Sequence, residues 1–465
     1  MPGPDWVRHA IWWQVFPLGA CGAESVKPGE PGDLRAGPVR HRLPALIGWL
    51  DYVIQLGCSG ISLGPLFSSY SHGYDTLDYY RVDSRLGDRA DFDALVAAAH
   101  ERGLKVMLDG VFNHVGRDNP WFADAVAHGP GSPQDALFHL SWPQGAGPGT
   151  VPDYANFEGH TGLMTLNHDN PAVADLVTDV MCHWLEAGID GWRLDAAYAV
   201  PPRFWTRVLP RVRERFPHVY VVGEVIHGDY PDIVTGSGMD SVTQYELWKA
   251  VWSSINDRNF HELEWALRRH GDFLQTFVPQ TFVGNHDVTR IASQIVDPGN
   301  LLHAVVILFT VGGCPSVYYG DDQGYHGVKE ERLGGDDQIR PVLPDSPSAF
   351  SELGRGIHDA YVDLIGVRRR HPWLFDASTR TRQVDNDVFV YESVPRQQSI
   401  APTGESRTAL VTALNIGDTT AEVPAQGVHQ QLAGWATLRS GQIGSAPSLT
   451  IPAHGWSVCA AGDAG

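Results

Sequence analysis

Apolar, β-branched runs alternate with longer stretches of helical periodicity from the amino terminus to about residue 370, and this alternation restricts the fold more than any other feature of the chain. The runs lie at Ile11–Phe16, Gly60–Leu63, Lys105–Val111, Gly191–Leu194, Val219–Gly223, Ser241–Gln244, Phe277–Val283 and Ser316–Tyr319. Helical spacing is clearest at Phe92–Glu101, Ala172–Glu186, Phe204–Arg215, Tyr245–Ile255, Phe260–Arg269 and Ile357–Arg370. Strands with apolar cores, joined by crossover helices, pair in parallel beneath a helical cover. Eight of them predict an α/β fold, the (β/α)8 barrel.

Two interruptions define the rest of the organisation. The segment from His114 to about Asp169, rich in Pro, Gly, His and Asp, is too long for a plain connection. It predicts a small domain inserted after the third strand over residues 115–169, with the barrel formed by 1–114 and 170–372. Beyond Pro372 the pattern shifts to short strands, as at Val388–Tyr391, Thr408–Asn415 and Thr420–Val423. Residues 373–465 are therefore expected to form a C-terminal antiparallel β-sandwich.

Charge and composition exclude several function classes. The formal charge of -20 comes with no basic block that would follow a phosphate backbone, so no nucleic-acid partner is expected and a neutral ligand fits. There is no leader with a charged start and apolar centre and no run of eighteen apolar residues, which predicts a cytoplasmic protein without a membrane partner. The five cysteines are scattered, none in a CxxC pair, and read as buried thiols. Neither HExxH nor an EF-hand loop occurs, so no metal and no cofactor is expected.

Chemistry-bearing groups gather where the runs stop: Asp109, Asn113 and His114 after the third, Arg193 and Asp195 at the fourth, Glu224 after the fifth, His286 and Asp287 after the seventh. In a barrel these places converge on the carboxyl-terminal mouth. Arg193 and Asp195 are two residues apart and share one side of a strand, so the guanidinium favours an ionised, attacking carboxylate. Glu224 has no cation beside it in sequence, and a poorly solvated glutamate near other negative charge holds its proton. Neighbouring strand ends set two carboxyls about 5 Å apart, the separation of retaining glycoside hydrolysis. Asp195 is thus the candidate nucleophile, Glu224 the acid/base and Asp287 the group that holds sugar hydroxyls and a distorted ring. His114 and His286 are candidate hydrogen-bond donors to substrate, Tyr74 a stacking platform, His72 its hydroxyl-binding neighbour, and Asp109 a support for Arg193.

The blocks Asp109-Gly110-Val111-Phe112-Asn113-His114, Gly191-Trp192-Arg193-Leu194-Asp195-Ala196-Ala197, Gly223-Glu224-Val225 and Phe282-Val283-Gly284-Asn285-His286-Asp287 resemble those of the α-amylase family of glycoside hydrolases, in the same order. Gly73-Tyr74-Asp75 and Tyr318-Tyr319-Gly320-Asp321 resemble flanking family segments. The resemblance implies the roles just given, with Arg193, His114, His286, His72 and Tyr74 shaping the subsite of the cleaved glucose. Calcium-dependent members carry Lys-His after the nucleophile block, whereas this chain has Tyr198-Ala199, which implies no essential calcium there. The opening Trp6–Pro17 and Gly162–Asn167 segments resemble cyclomaltodextrinases and neopullulanases. The implied activity is retaining hydrolysis of small linear or cyclic maltooligosaccharides, the enzyme that opens cyclic maltosyl-maltose being one model. A transglycosylase or trehalose-forming isomerase would use the same three carboxylates, and a noncatalytic interaction protein would have lost one. A homodimer is compatible, since a small site can borrow a wall from a neighbour.

Overall fold

A computed structural model describes residues 3–23, 38–332, 334–396, 409–439 and 447–462. Eight strands form its central sheet: β1 Trp12–Val15, β2 Gly60–Leu63, β3 Lys105–Gly110, β4 Gly191–Leu194, β5 Tyr220–Gly223, β6 Ser241–Val242, β7 Gln280–Phe282 and β8 Cys314–Tyr318. They pair in parallel in the order β6-β5-β4-β3-β2-β1-β8-β7. A parallel bridge from Thr243 to Gln280 joins the two ends, so the sheet closes into a (β/α)8 barrel.

The two-residue period of a strand separates barrel filling from chemistry. Trp12, Met107, Tyr220, Val222 and Cys314 pack together as a core of their own, with Trp12 stacked on Tyr220 at 6.3 Å and Val7 and Ala10 joining them from the chain before β1. Two residues further along the same strands come Gln14, Asp109 and Glu224, at the carboxyl-terminal mouth. Trp13 and Trp192 belong to the main core instead: Trp13 stacks on Trp49, and Trp192 meets Phe67 and Phe112.

The helices expected from periodicity are present, within a few residues at each end. Arg89–Glu101 starts with a capping box in which Asp88 and Asp91 satisfy each other's backbone N–H groups. Asn170 caps Pro171–Glu186 in the same sense, its side chain accepting from Ala172. Leu301–Thr310 has no counterpart among the predicted helices. All of its residues but Leu302 are buried, His303 and Thr310 included, against neighbouring helices and the C-terminal sheet, so it carries little amphipathic period.

After β3 the chain enters a small antiparallel sheet of His114–Gly116, His160–Thr165 and Asn156–Phe157, with Thr165 opposite His114. That pairing ties the start of the long excursion to its end and fixes it at the barrel mouth. The C-terminal strands form an antiparallel sheet of Ser378–Val384, Val388–Val394, Ala409–Asn415, Trp456–Ala461 and Val428–Gly434, beside a second sheet of three. Leu410 and Leu414 join the main core, whereas Ala409, Val411 and Ala413, on the opposite face, pack toward Val423, Leu449 and Ile451. Residue 408, first of the run expected at Thr408–Asn415, lies outside the described residues.

Candidate active site

Register brings the carboxylates together. β4 pairs with β3 so that Arg193 stands opposite Asp109, and with β5 so that Leu194 stands opposite Gly223. The ladder runs on through the Glu224 N–H to the Leu194 carbonyl at 2.8 Å, which sets Asp195 and Glu224 side by side on strands about 4.8 Å apart.

One guanidinium lies beneath them. Arg193 Nη1 donates to both oxygens of Asp109, at 2.8 and 2.9 Å, and to Asp195 Oδ1 at 2.9 Å; its Nη2 is 2.5 Å from Glu224 Oε1. Glu224, with no cation beside it in sequence, has one beside it in space, because a contact across neighbouring strands is invisible in linear sequence. Burial pushes the Asp195 carboxyl well up against the pull of Arg193, and the negative charges of Glu224, Asp109 and Asp287 push the same way.

The residue after Asp195 contributes through its backbone. Ala196 adopts a left-handed conformation, with φ of 44°, a cost of about 1–3 kcal/mol for a residue with a side chain. Its N–H donates to Glu224 Oε2 at 3.0 Å. The other oxygen of Glu224 accepts from the Tyr245 hydroxyl at 3.3 Å, and Asn285 Nδ2 donates to that hydroxyl at 2.9 Å.

Asp287 has a different environment. Its Oδ1 accepts from Arg340 Nη2 at 2.8 Å, and its Oδ2 is 2.9 Å from His286 Nε2. Burial opposes ionisation, yet His286, Arg340 and Arg193 together hold this carboxyl well below the usual carboxylate range. Arg340 also donates to the His286 carbonyl at 2.9 Å, reaches Asp336 at 3.0 Å and lies over the Phe16 ring at 4.4 Å. Sequence reasoning did not single out Arg340, Tyr245 or Asn285. Arg340 lies in an irregular stretch after β8 that has no period to place it.

Asp109, Arg193 and His286 are almost wholly buried and support the cleft from beneath. His286 stacks on Tyr74 and on Phe16, with Gln14 at 3.3 Å from Nδ1. The Tyr74 hydroxyl donates to Asp109 Oδ2 at 3.0 Å and also meets His286 Nε2. His114, pushed down to about 4 by burial, is neutral; its Nε2 faces the Tyr74 carbonyl, Asn113 lies beside its Nδ1, and its ring stacks on Phe157 at 4.8 Å. His72 differs from expectation. It is not among the residues lining the cleft, its Nδ1 accepts the Tyr74 N–H, and its Nε2 is 3.9 Å from Asp75.

Above these groups opens a cleft of about 960 Å³, lined by Tyr74, His114, Asp195, Glu224 and Asp287 and extending past Phe157, Tyr198 and Tyr245 to Trp248 and Trp265. Tyr198 stands where the resemblance implied a lysine in calcium-dependent enzymes, and its hydroxyl donates to Glu158 at 2.8 Å. Among the described residues, the one grouping with metal-ligand spacing is His41, Asp88 and Asp91, away from the cleft and already engaged in mutual and capping hydrogen bonds. No helix among the described residues is long and apolar enough to cross a membrane.

Residues 42–352 match the model of the alpha amylase catalytic domain. A cyclomaltodextrinase of Geobacillus thermopakistaniensis is 30% identical over 85% of this chain and 68% of its own length. The intracellular maltogenic amylase of Bacillus subtilis is 32% identical over 70% of this chain, which spans only 57% of that relative. Among solved structures, the debranching enzyme of Nostoc punctiforme superposes over 99% of both chains with a TM-score of 0.78 at 27% identity. The cyclic α-maltosyl-(1→6)-maltose hydrolase of Arthrobacter globiformis shares the fold, with a TM-score of 0.78 at 23% identity. A closed barrel with three acids at its mouth, and a matching domain model over most of that barrel, make this chain a member of the α-amylase family of glycoside hydrolases.

Proposed function

We propose that the enzyme hydrolyses α-glucosidic bonds in short linear or cyclic maltooligosaccharides, with retention of configuration, through a covalent glycosyl-enzyme. Glu224 takes the acid/base role and Asp195 that of the nucleophile, whose anion Arg193, 2.9 Å from Oδ1, favours against the cost of burial. Asp195 attacks the anomeric carbon while Glu224 gives its proton to the glycosidic oxygen, so the sugar–sugar bond breaks as the ester forms. Glu224, now a carboxylate, takes a proton from water; the water oxygen then bonds to the anomeric carbon and the ester breaks. Asp287, held ionised by His286 and Arg340, binds the hydroxyls of the distorted ring and stabilises its positive charge. Tyr74 and His114 line that ring's subsite, while Arg193 and His286 position the acids from below.

One observation supports this chemistry above the others: Asp195 and Glu224 are bridged by a single guanidinium, at 2.9 and 2.5 Å, on adjacent strand ends. The cleft admits several sugar rings and is lined by aromatic as well as charged groups, as a neutral saccharide requires. The relatives named for cyclomaltodextrin and maltogenic activity favour short substrates, and the intracellular one favours a cytoplasmic setting. The test is a product time course on maltotriose, cyclic glucans and α-1,6-linked substrates, followed by anomer-resolved proton NMR. The first product is expected in the α configuration, and Asp195→Asn is expected to abolish turnover. A β product, or an active Asp195→Asn enzyme, would overturn the proposal.

A further inference from the structure

The cleft does not end at the catalytic acids. Beyond Glu224 it follows two helices between β6 and β7, Tyr245–Asn256 and Phe260–Phe273. Glu246 of the first pairs with Arg269 of the second at 2.5 Å, and Lys249 pairs with Glu262 at 2.5 Å. These two pairs fix the helices in antiparallel register. Trp265, midway between Glu262 and Arg269, therefore stands abreast of the first turn of its neighbour, whose Tyr245 hydroxyl bonds Glu224.

Trp265 is 63% exposed and lines the same cleft as Asp195 and Glu224. Trp248 also lines the cleft but is half-buried, packed against Tyr245, Trp252 and Phe282. A large exposed ring flanked by charged groups matches what a pyranose presents, an apolar face with hydroxyls around its edge. We infer that Trp265, bracketed by the Glu246–Arg269 and Lys249–Glu262 pairs, is a stacking platform for α-glucan residues on the leaving-group side, one or more rings beyond the bond that is cut. The side follows from Glu224, which protonates the departing oxygen and accepts from Tyr245 at the start of the helix that Trp265 flanks. The platform then selects for chain length: a substrate too short to reach it gains nothing from it. This assignment rests on the α-glucan activity proposed above.

The test compares the full-length enzyme with Trp265→Ala and Trp265→Phe on maltotriose and maltoheptaose. For Trp265→Ala, kcat/KM on maltoheptaose is expected to fall about ten-fold while kcat/KM on maltotriose stays within about two-fold, and Trp265→Phe is expected to recover most of the loss. Equal losses on both substrates, or no loss on either, would overturn the assignment while leaving the hydrolase intact. A change from dimer to monomer in the alanine variant would overturn it as well, because the ring would then be covered by a second copy. If the unaltered enzyme cleaves no α-glucan, the proposed function fails, and the platform falls with it unless maltoheptaose still quenches tryptophan fluorescence in the unaltered protein and not in Trp265→Ala.

Discussion

Removing the guanidinium of Arg340 is expected to weaken catalysis through Asp287. Arg340→Met keeps an unbranched stem against Phe16 but deletes the 2.8 Å bond to Asp287, the 3.0 Å bond to Asp336 and the support of the His286 carbonyl. A hydrogen bond between charged groups is worth about 1.5–3 kcal/mol. The Asp287 side chain is 30% exposed, so water replaces part of that, which favours the lower end of the range. Transition-state stabilisation weaker by about 1.4 kcal/mol is a ten-fold loss in rate. The assay is the pH dependence of kcat/KM on maltotriose, where the variant is expected to be about ten-fold slower at neutral pH. Its acid limb moves to higher pH, because Asp287 loses a cation that holds it low. Stability follows with the same sign. A carboxyl held low stabilises the fold above its ordinary value near 3.9 and loses that contribution as pH falls below it, so the two proteins converge in acid. An unchanged acid limb with full activity would refute the role given to Arg340.

Other changes probe different links. At Gly284 a Cβ would sit 2.1 Å from Asp321 Oδ2, so Gly284→Ala is expected to push Asp321 off the buried Arg290 and cost about 3 kcal/mol or more, read as a lower thermal midpoint. An unshifted midpoint would remove that packing account. His303 is buried, its ring nitrogens facing the Asn300, Asn415 and Gly455 carbonyls, and burial holds it down at about 4 against an ordinary 6.5. As pH falls from 6.5 toward 4 the unfolded chain takes up a proton that the fold refuses, so stability declines by up to about 1.4 kcal/mol per pH unit. His303→Gln is expected to flatten that decline by one proton in denaturation curves against pH, and an identical slope would contradict it. Tyr198→Phe loses the bond to Glu158 that joins the excursion to the loop after β4, at a cost of about 0.5–1.5 kcal/mol to stability. Because both residues line the cleft, KM is expected to rise more than kcat falls; the reverse would place Tyr198 in the chemistry itself.

Local pattern carried the architecture. Each barrel strand is a short apolar run, and most crossover helices have one apolar face, so period and length announce them in sequence. The long excursion announces itself by length and by its lack of period. Leu301–Thr310 escaped because a helix buried at every position but Leu302 has no exposed polar face to reveal its turn. The candidate acids were legible for a related reason: a barrel collects its strand ends in one place, so Asp109, Asp195, Glu224 and Asp287 are informative by position alone.

What the chain could not announce was which groups share a charge. Strand spacing within one run placed Arg193 beside Asp195, a contact of two residues that any strand makes. Only the pairing of β4 with β5 brought Glu224 onto the same guanidinium, and only the path of the coil after β8 returned Arg340 to Asp287. Trp265 likewise reads as an ordinary helix residue until two interhelical ion pairs set it along the cleft. Sequence determined the barrel and the identity of its acids, because those depend on local period and on strand ends. Tertiary structure decided how cations are shared among them, because Coulomb interaction and burial depend on distance through space, which separation along the chain does not report.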